Sequence, residues 1–257
     1  MGKKKQYQSR EQLKEFFRNG KVPSEKHYSD LINSMVHKVD DGFSKDEING
    51  LRISSTEEAK NLISFYKDLN EQDPFFLIAK DELDPTSLAL KPFEVPEGMK
   101  NDTENSFFFH NNGKLGIGTK CDDSFKMEIN GFVGMQGRIG TYNSGSRPAD
   151  GKWHTILEKL DHCQAFEIMA RTGKKGTGRF ALMQAVALGV YGPRGSKIKK
   201  TQTYYGFFWN KLNLRWTGTT HDYNLEIRSN SNYGEDVAIH YTITRLWDDF
   251  LFLDPTE

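Results

Sequence analysis

The sequence predicts a mainly β protein with a short α-helical N-terminus, and three observations carry that expectation. Glycines at 113, 116, 118, 131, 134, 137 and 140 punctuate the run FFFHNNGKLGIGTKCDDSFKMEINGFVGMQGRIGTY (107–142), between pairs or short runs of apolar residues. Glycine admits positive φ and close backbone approach, so such a run reads as short strands joined by tight turns. The C-terminal region, 143–257, repeats apolar–polar alternation at 165–170, 179–187, 203–209, 212–216, 223–228 and 237–244. Strands at that spacing, separated by Gly or Asn turns, point to an antiparallel sandwich with jelly-roll-like character. Finally, hydrophobic residues make up only 36% of the chain while aromatics reach 12%, which suits β-rich, interface-heavy proteins better than helical enzymes.

Taken in order, residues 9–18 (SREQLKEFFR) predict a helix, with Ser9 as its cap and Gln12 as the capping-box partner. Asn19-Gly20 ends it. Val22-Pro23-Ser24 opens a second helix, on which Tyr28, Leu31, Ile32, Met35, Val36 and Val39 form an apolar stripe at helical spacing, with Asp40-Asp41-Gly42 as its stop. The resulting αα-hairpin is too small to be its own core, so the stripe is expected to dock on a partner. A third helix is expected over 55–69, capped by Ser55 or Thr56 with Glu57 and Glu58 in its first turn. Between residues 57 and 104 twelve Asp/Glu face five Lys, and Pro74, Pro85, Pro92 and Pro96 interrupt the chain. That stretch predicts an extended acidic linker with one strand at 75–79. The domain plan is therefore 1–69 helical anchor, 70–106 linker, 107–142 β collar and 143–257 C-terminal β domain. Strands as short as those of the collar bury little surface alone. They are expected to pair with other copies of the chain, with Phe108, Leu115, Ile117, Met127 and Ile129 at the shared core.

The 35 basic and 35 acidic residues cancel, so no global pull toward nucleic acid or membrane is implied, and nucleic acid is not expected as a partner. No stretch approaches the ~18 apolar residues of a membrane-spanning helix, so membrane insertion is not expected. The N-terminus MGKKKQYQSR has no apolar run to make a secretory signal and no small hydroxyl residue at position 6 for myristoylation. Cys121 and Cys163 form no C-x-x-C pair, as expected of a chain made in a reducing cytoplasm.

Catalytic patterns are missing. GKLGIGT has Cys121 where G-x-G-x-x-G needs its third glycine, and TGKKGTGR has Arg179 where a phosphate loop needs Lys. The seven histidines form no H-x-x-x-H, H-E-x-x-H or H-x-H, and no G-x-S-x-G elbow is present. No enzyme activity, metal or cofactor is expected. Segment 168–221 contains no acidic residue at all, yet carries ten Lys and Arg interleaved with aromatics. Two readings stand: a solvated pair of basic loops (171–179 and 194–200) over an aromatic core, or a ligand or partner surface through Lys174, Lys175, Arg179, Lys199, Lys200, Tyr204 and Tyr205, suited to single-stranded nucleic acid, an anionic glycan, the acidic stretch of a neighbouring copy or another subunit. Trp153, Trp209, Trp216 and Trp247 are expected mainly in the core.

Two stretches resemble known proteins. NNGKLGIGT…FKMEINGFVG is similar to a segment near the distal domains of phage tail fibres and related adhesins. The run 13–51, LKEFFRNGKVPSEKHYSDLINSMVHKVDDGFSKDEINGL, resembles the N-terminal helical segment of fibre or baseplate-associated proteins in phages and contractile injection systems of Bacteroidetes-type bacteria. The resemblance implies a homotrimer wound together at the collar, a helical stripe docked on baseplate or tail subunits, and a C-terminal domain presented outward. It implies a short fibre or a cage- or cap-like baseplate piece, assembled in the cytoplasm and carried on an extracellular or virion-like particle. The alternative expectation is a lectin-like adhesin whose C-terminal domain binds surface glycan.

Overall fold

A computed structural model describes residues 8–38, 40–55, 59–68, 71–81, 84, 86–94 and 102–253. The chain forms two compact units, 1–133 and 134–257. It is mainly β, with several antiparallel sheets and few helices.

The first unit opens with α1 (Arg10–Phe16) and α2 (Glu25–Asn33). Ser9 caps α1 through the expected reciprocal box, its Oγ accepting from the Gln12 N–H while Gln12 Oε1 accepts from the Ser9 N–H. The two helices meet through Phe16 stacked on His27 at 4.3 Å and Phe17 edge-on to Tyr28 at 5.4 Å. α2 stops earlier than its apolar spacing predicts, because Ser34 turns its hydroxyl back onto the Asp30 carbonyl. Met35 and Val36 therefore lie beyond the helix, and Val39 lies outside the described residues.

A hairpin, β1 (Phe43–Asp46) with β2 (Gly50–Ile53), follows. The Asp46 carboxylate closes its turn by accepting from the Ile48 and Asn49 N–H groups. Among the described residues of 55–69 the expected helix is not formed. Its cap and first-turn positions 56–58 lie outside the described residues, and Asn61–Phe65 is a strand, β3. Ile63 and Phe65 are β-formers that find strand partners, and pairing outweighs the helical propensity read from the acidic start.

The expected linker supplies two further strands, β4 (Phe76–Lys80) and β5 (Leu88–Pro92), and a 3-10 turn at Asp102–Asn105. With β6 (Phe107–Phe109), β7 (Leu115–Ile117) and β8 (Met127–Ile129) they form a six-stranded sheet in the order β3-β4-β5-β6-β7-β8. Every neighbouring pair is antiparallel except β7–β8. The short collar strands thus pair within their own chain, in a sheet with β4, which matches the strand expected at 75–79, and with β3 and β5, which were not expected. Pro92 sits at the last position of β5, where a missing N–H is tolerated.

The second unit is a sandwich of eight strands: β9 (Asn143–Pro148), β10 (His154–Leu160), β11 (Cys163–Gly173), β12 (Phe180–Val190), β13 (Lys197–Tyr205), β14 (Leu212–Thr219), β15 (Asp222–Ser229) and β16 (Ala238–Asp248). A five-stranded sheet β13-β12-β11-β16-β9 faces a three-stranded sheet β10-β15-β14, and a single turn of helix, α3 (Asp249–Phe252), follows. Strict alternation along β12 sends Ala181, Met183, Ala185 and Ala187 inward, where they meet Phe166, Ile168, Leu225, Ile227, Ile239 and Ile243 in one core. Gly189 leaves room for the ring of Tyr223, since a Cβ there would lie 2.9 Å from that ring. The wholly buried Tyr223 donates its hydroxyl proton to the His162 carbonyl at 2.7 Å, and burial pushes its phenol up to about 12.

Candidate interaction surfaces

Register divides the six-stranded sheet of the first unit into two unlike faces. Pairing of Ile63 with Ile78, Ile78 with Leu90, Leu90 with Phe107, Phe107 with Ile117 and Ile117 with Ile129 runs one apolar row across all six strands. The adjacent row holds Leu88, Phe109, Leu115 and Met127, and beyond the first lie Phe65, Phe76 and Pro92. Lys80 is the one polar residue on this face. Phe65, Leu88, Phe107, Phe109 and Met127 stay 39–55% exposed. Apart from Lys80 the face is an uninterrupted apolar set, which is unusual, whereas isolated exposed apolar residues are ordinary.

The opposite face is closed within the chain. Leu77, Ala79, Ala89 and Phe108 are buried there. The 118–126 crossover joining parallel strands β7 and β8 passes over Gly116, where a Cβ would run into the Thr119 carbonyl oxygen. Lys120 lies 5.6 Å from the Phe108 ring centroid and pairs with Asp81 at 2.7 Å. Four of the five expected collar residues, Leu115, Ile117, Met127 and Ile129, therefore share the open face. Phe108 does not: alternation turns it to the covered side.

Ser87, Asp84 and His110 meet at the edge of this covered side without forming a nucleophilic triad. Ser87 Oγ bonds both the Asp84 carboxylate and, at 3.0 Å, His110 Nδ1, while His110 Nε2 accepts from the Cys121 N–H. Asp84 bonds the serine and lies 3.8 Å from His110 Nδ1, the same nitrogen that meets Ser87, and Ser87 is wholly buried. The Ser87 and Thr86 hydroxyls hold the Asp84 carboxyl down at about 2.

The expected docking stripe is split. Tyr28 and Ile32 are 52% and 59% exposed on α2, and Leu31 is half-buried between them. Ile32, Met35 and Val36 line an open cleft of about 550 Å3 with His37, Asp40, Asp41 and Phe43. The stripe's exposed half is thus part helix, part loop.

The expected basic–aromatic surface of the second unit also divides. Arg179 is structural: Nη2 donates to Ser231 Oγ at 2.9 Å and to the Asn232 carbonyl at 2.8 Å, and the guanidinium stacks on Tyr233 at 4.7 Å. Lys199 and Tyr205 lie on the outer side of β13, whereas Lys200 and Tyr204 face inward, since consecutive strand residues alternate. Lys200 Nζ bonds the Leu212 carbonyl and Asn213, and burial lowers its ammonium. Lys174, Lys175 and Tyr205 remain exposed at one end of the sandwich.

The tryptophans also depart from expectation. Trp216 packs on the core and Trp153 lies between Arg215 and Arg228, 4.3 and 4.5 Å from its ring. Trp209 and Trp247 are 42% and 40% exposed. Sequence reasoning gave no sign of which aromatics face water: Trp209 is exposed by the loop at 206–210, and Trp247 lies near the end of β16.

At another end of the sandwich, the His221 ring bonds Asp161 at 2.8 Å and His162 lies 3.6 Å from the same carboxylate. Desolvation opposes ionisation of Asp161, but the His162 N–H and the two imidazoles outweigh it and hold the carboxyl below its usual range. Among the described residues no three His, Cys, Asp or Glu side chains converge to hold a metal ion, and no helix is long and apolar enough to cross a membrane. No model of a known protein family matches the chain, and a search of curated proteins finds no relative.

Proposed function

We propose that this chain is a structural subunit of a phage-tail-like contractile injection particle, a short fibre or a cage- or cap-like piece at the baseplate, working as a homotrimer. The observation that carries the reading is the uninterrupted apolar face of the six-stranded sheet. Three copies turned inward around one axis would bury Phe107, Phe109, Leu115, Ile117, Met127 and Ile129 against their counterparts. The resemblance of NNGKLGIGT and of the N-terminal helical run to fibre and baseplate proteins supports the particle setting. The cleft beside Ile32, Met35 and Val36 supports docking on another subunit. The role is mechanical: the helical segment attaches, the apolar sheet faces lock the copies together, and the sandwich is displayed, after cytoplasmic assembly, on an extracellular or virion-like particle. Negative-stain microscopy of particles purified from a producing strain tests it. Antibody label on the baseplate region is expected, and label confined to free protein would overturn the reading.

A further inference from the structure

The loop between β13 and β14 holds aromatic rings out in solvent. Tyr205, Phe207, Phe208 and Trp209 are 68%, 63%, 67% and 42% exposed. The loop is built rather than loose. Asn210 is wholly buried, its Nδ2 donating to the Tyr205 carbonyl at 3.1 Å and its N–H to the Phe207 carbonyl at 2.9 Å. Phe207 stacks on Trp209 at 4.5 Å and Phe208 meets it edge-on at 4.9 Å, so the three rings form one cluster.

Cations lie on the turn beside the cluster. The β11–β12 turn lies alongside, since a Cβ on Gly206 would sit 2.7 Å from the Gly178 carbonyl oxygen, and that turn carries exposed Lys174 and Lys175. Lys211 follows the loop, with Nζ 5.1 Å from the Tyr204 ring centroid. No acidic residue occurs between 168 and 221. Glu235 and Asp236 line a cleft with Ser146 and Arg147 of β9, at the opposite edge of the five-stranded sheet from β13.

We propose that this tip docks on the surface of an anionic lipid bilayer. Phe207 and Phe208 enter the boundary between headgroups and acyl chains, while Lys174 and Lys175 meet acidic headgroups. The geometry favours a bilayer over a sugar. A sugar site needs an open ring face flanked by free polar side chains. Here the most exposed rings beside Tyr205 are phenylalanines, Phe207 covers one face of Trp209, and Asn210 is spent on the backbone.

The test is co-sedimentation of the full chain with phosphatidylcholine vesicles and with vesicles that also contain phosphatidylglycerol. Binding to the anionic vesicles, weakened by added salt, is expected. F207S/F208S should lower it at least about tenfold, from the lost aromatic burial. K174E/K175E should lower it about tenfold or more and flatten its salt dependence. All four positions are exposed, so both variants should keep the wild-type circular dichroism spectrum. Failure to bind anionic vesicles, undiminished binding by F207S/F208S, or tip-dependent retention on a glycan array without vesicle binding would each overturn the proposal. The tip lies in the second unit and the apolar sheet face in the first. Lost vesicle binding with unchanged solution mass would therefore leave the subunit reading untouched.

Discussion

Replacing Phe109 with Asp should take the proposed trimer apart while leaving the single chain folded. Phe109 sits on the open sheet face, paired between Leu88 and Leu115, and is 49% exposed in the lone chain. Half of an aromatic side chain's roughly 200 Å2 is about 100 Å2, or ~2.5 kcal/mol per chain at ~25 cal/mol per Å2. Three copies lose ~7.5 kcal/mol, which lowers the trimer association constant by roughly five orders of magnitude. A carboxylate forced into the packed face adds a desolvation cost on top. Sedimentation equilibrium at micromolar concentration should then report the 29.5 kDa chain alone, with an unchanged circular dichroism spectrum. A Phe109→Asp protein that keeps the wild-type assembled mass would refute the placement of this face at the shared core.

Three further outcomes follow from the packing. Gly116→Ala should destabilise the first unit by about 2 kcal/mol or more in urea titration, because the new Cβ collides with the Thr119 carbonyl and the crossover must lift; a change within ~0.5 kcal/mol would contradict the crossover's position. Arg179→Ala should cost about 1–3 kcal/mol, by leaving Ser231, Asn232 and Tyr233 without their partner, whereas Lys175→Ala should be near neutral; equal effects would restore Arg179 to a ligand-binding role. For Tyr223 the folded-state phenol is raised from an ordinary value near 10.0 to about 12, so the folded form holds its proton longer than the unfolded chain. Its contribution is fully present below pH ~10 and is lost as pH rises toward ~12. Tyr223→Phe should flatten alkaline unfolding across that window, and an unchanged pH profile would show that another group controls it.

Local signals were legible where short-range chemistry decides the outcome. Ser9 with Gln12 marked a helix start, and the 2-residue alternation of β12 and β15 marked the sandwich. The missed strands share a physical reason. Asn61–Phe65 follows acidic residues that mimic a helix start, and only its long-range pairing with Phe76–Lys80 makes it a strand. β10 hid behind register shifts between Thr155 and Leu157 and between Leu157 and Leu160, which break the alternation. β13 was expected only from 203, because the lysines of KIKKTQT conceal which side faces the core, and the strand expected over 203–209 ends at Tyr205, with 206–210 a loop.

The candidate surfaces were half legible for the same reason. Leu115, Ile117, Met127 and Ile129 share a face because β7 and β8 pair in register. Phe65 and Leu88 complete that face only through strands that composition assigned to a helix and a linker, and Phe76 through the strand expected at 75–79. Lys199 and Lys200 were grouped as neighbours in sequence, but a strand sends neighbours to opposite sides.

Light scattering on the purified wild-type chain tests the central claim most directly. Self-association through the sheet face predicts a solution mass three times the 29.5 kDa chain, about 88.5 kDa. A monomer that stays at 29.5 kDa across the accessible concentration range would contradict it, and would leave the apolar face of the six-stranded sheet in need of a different partner.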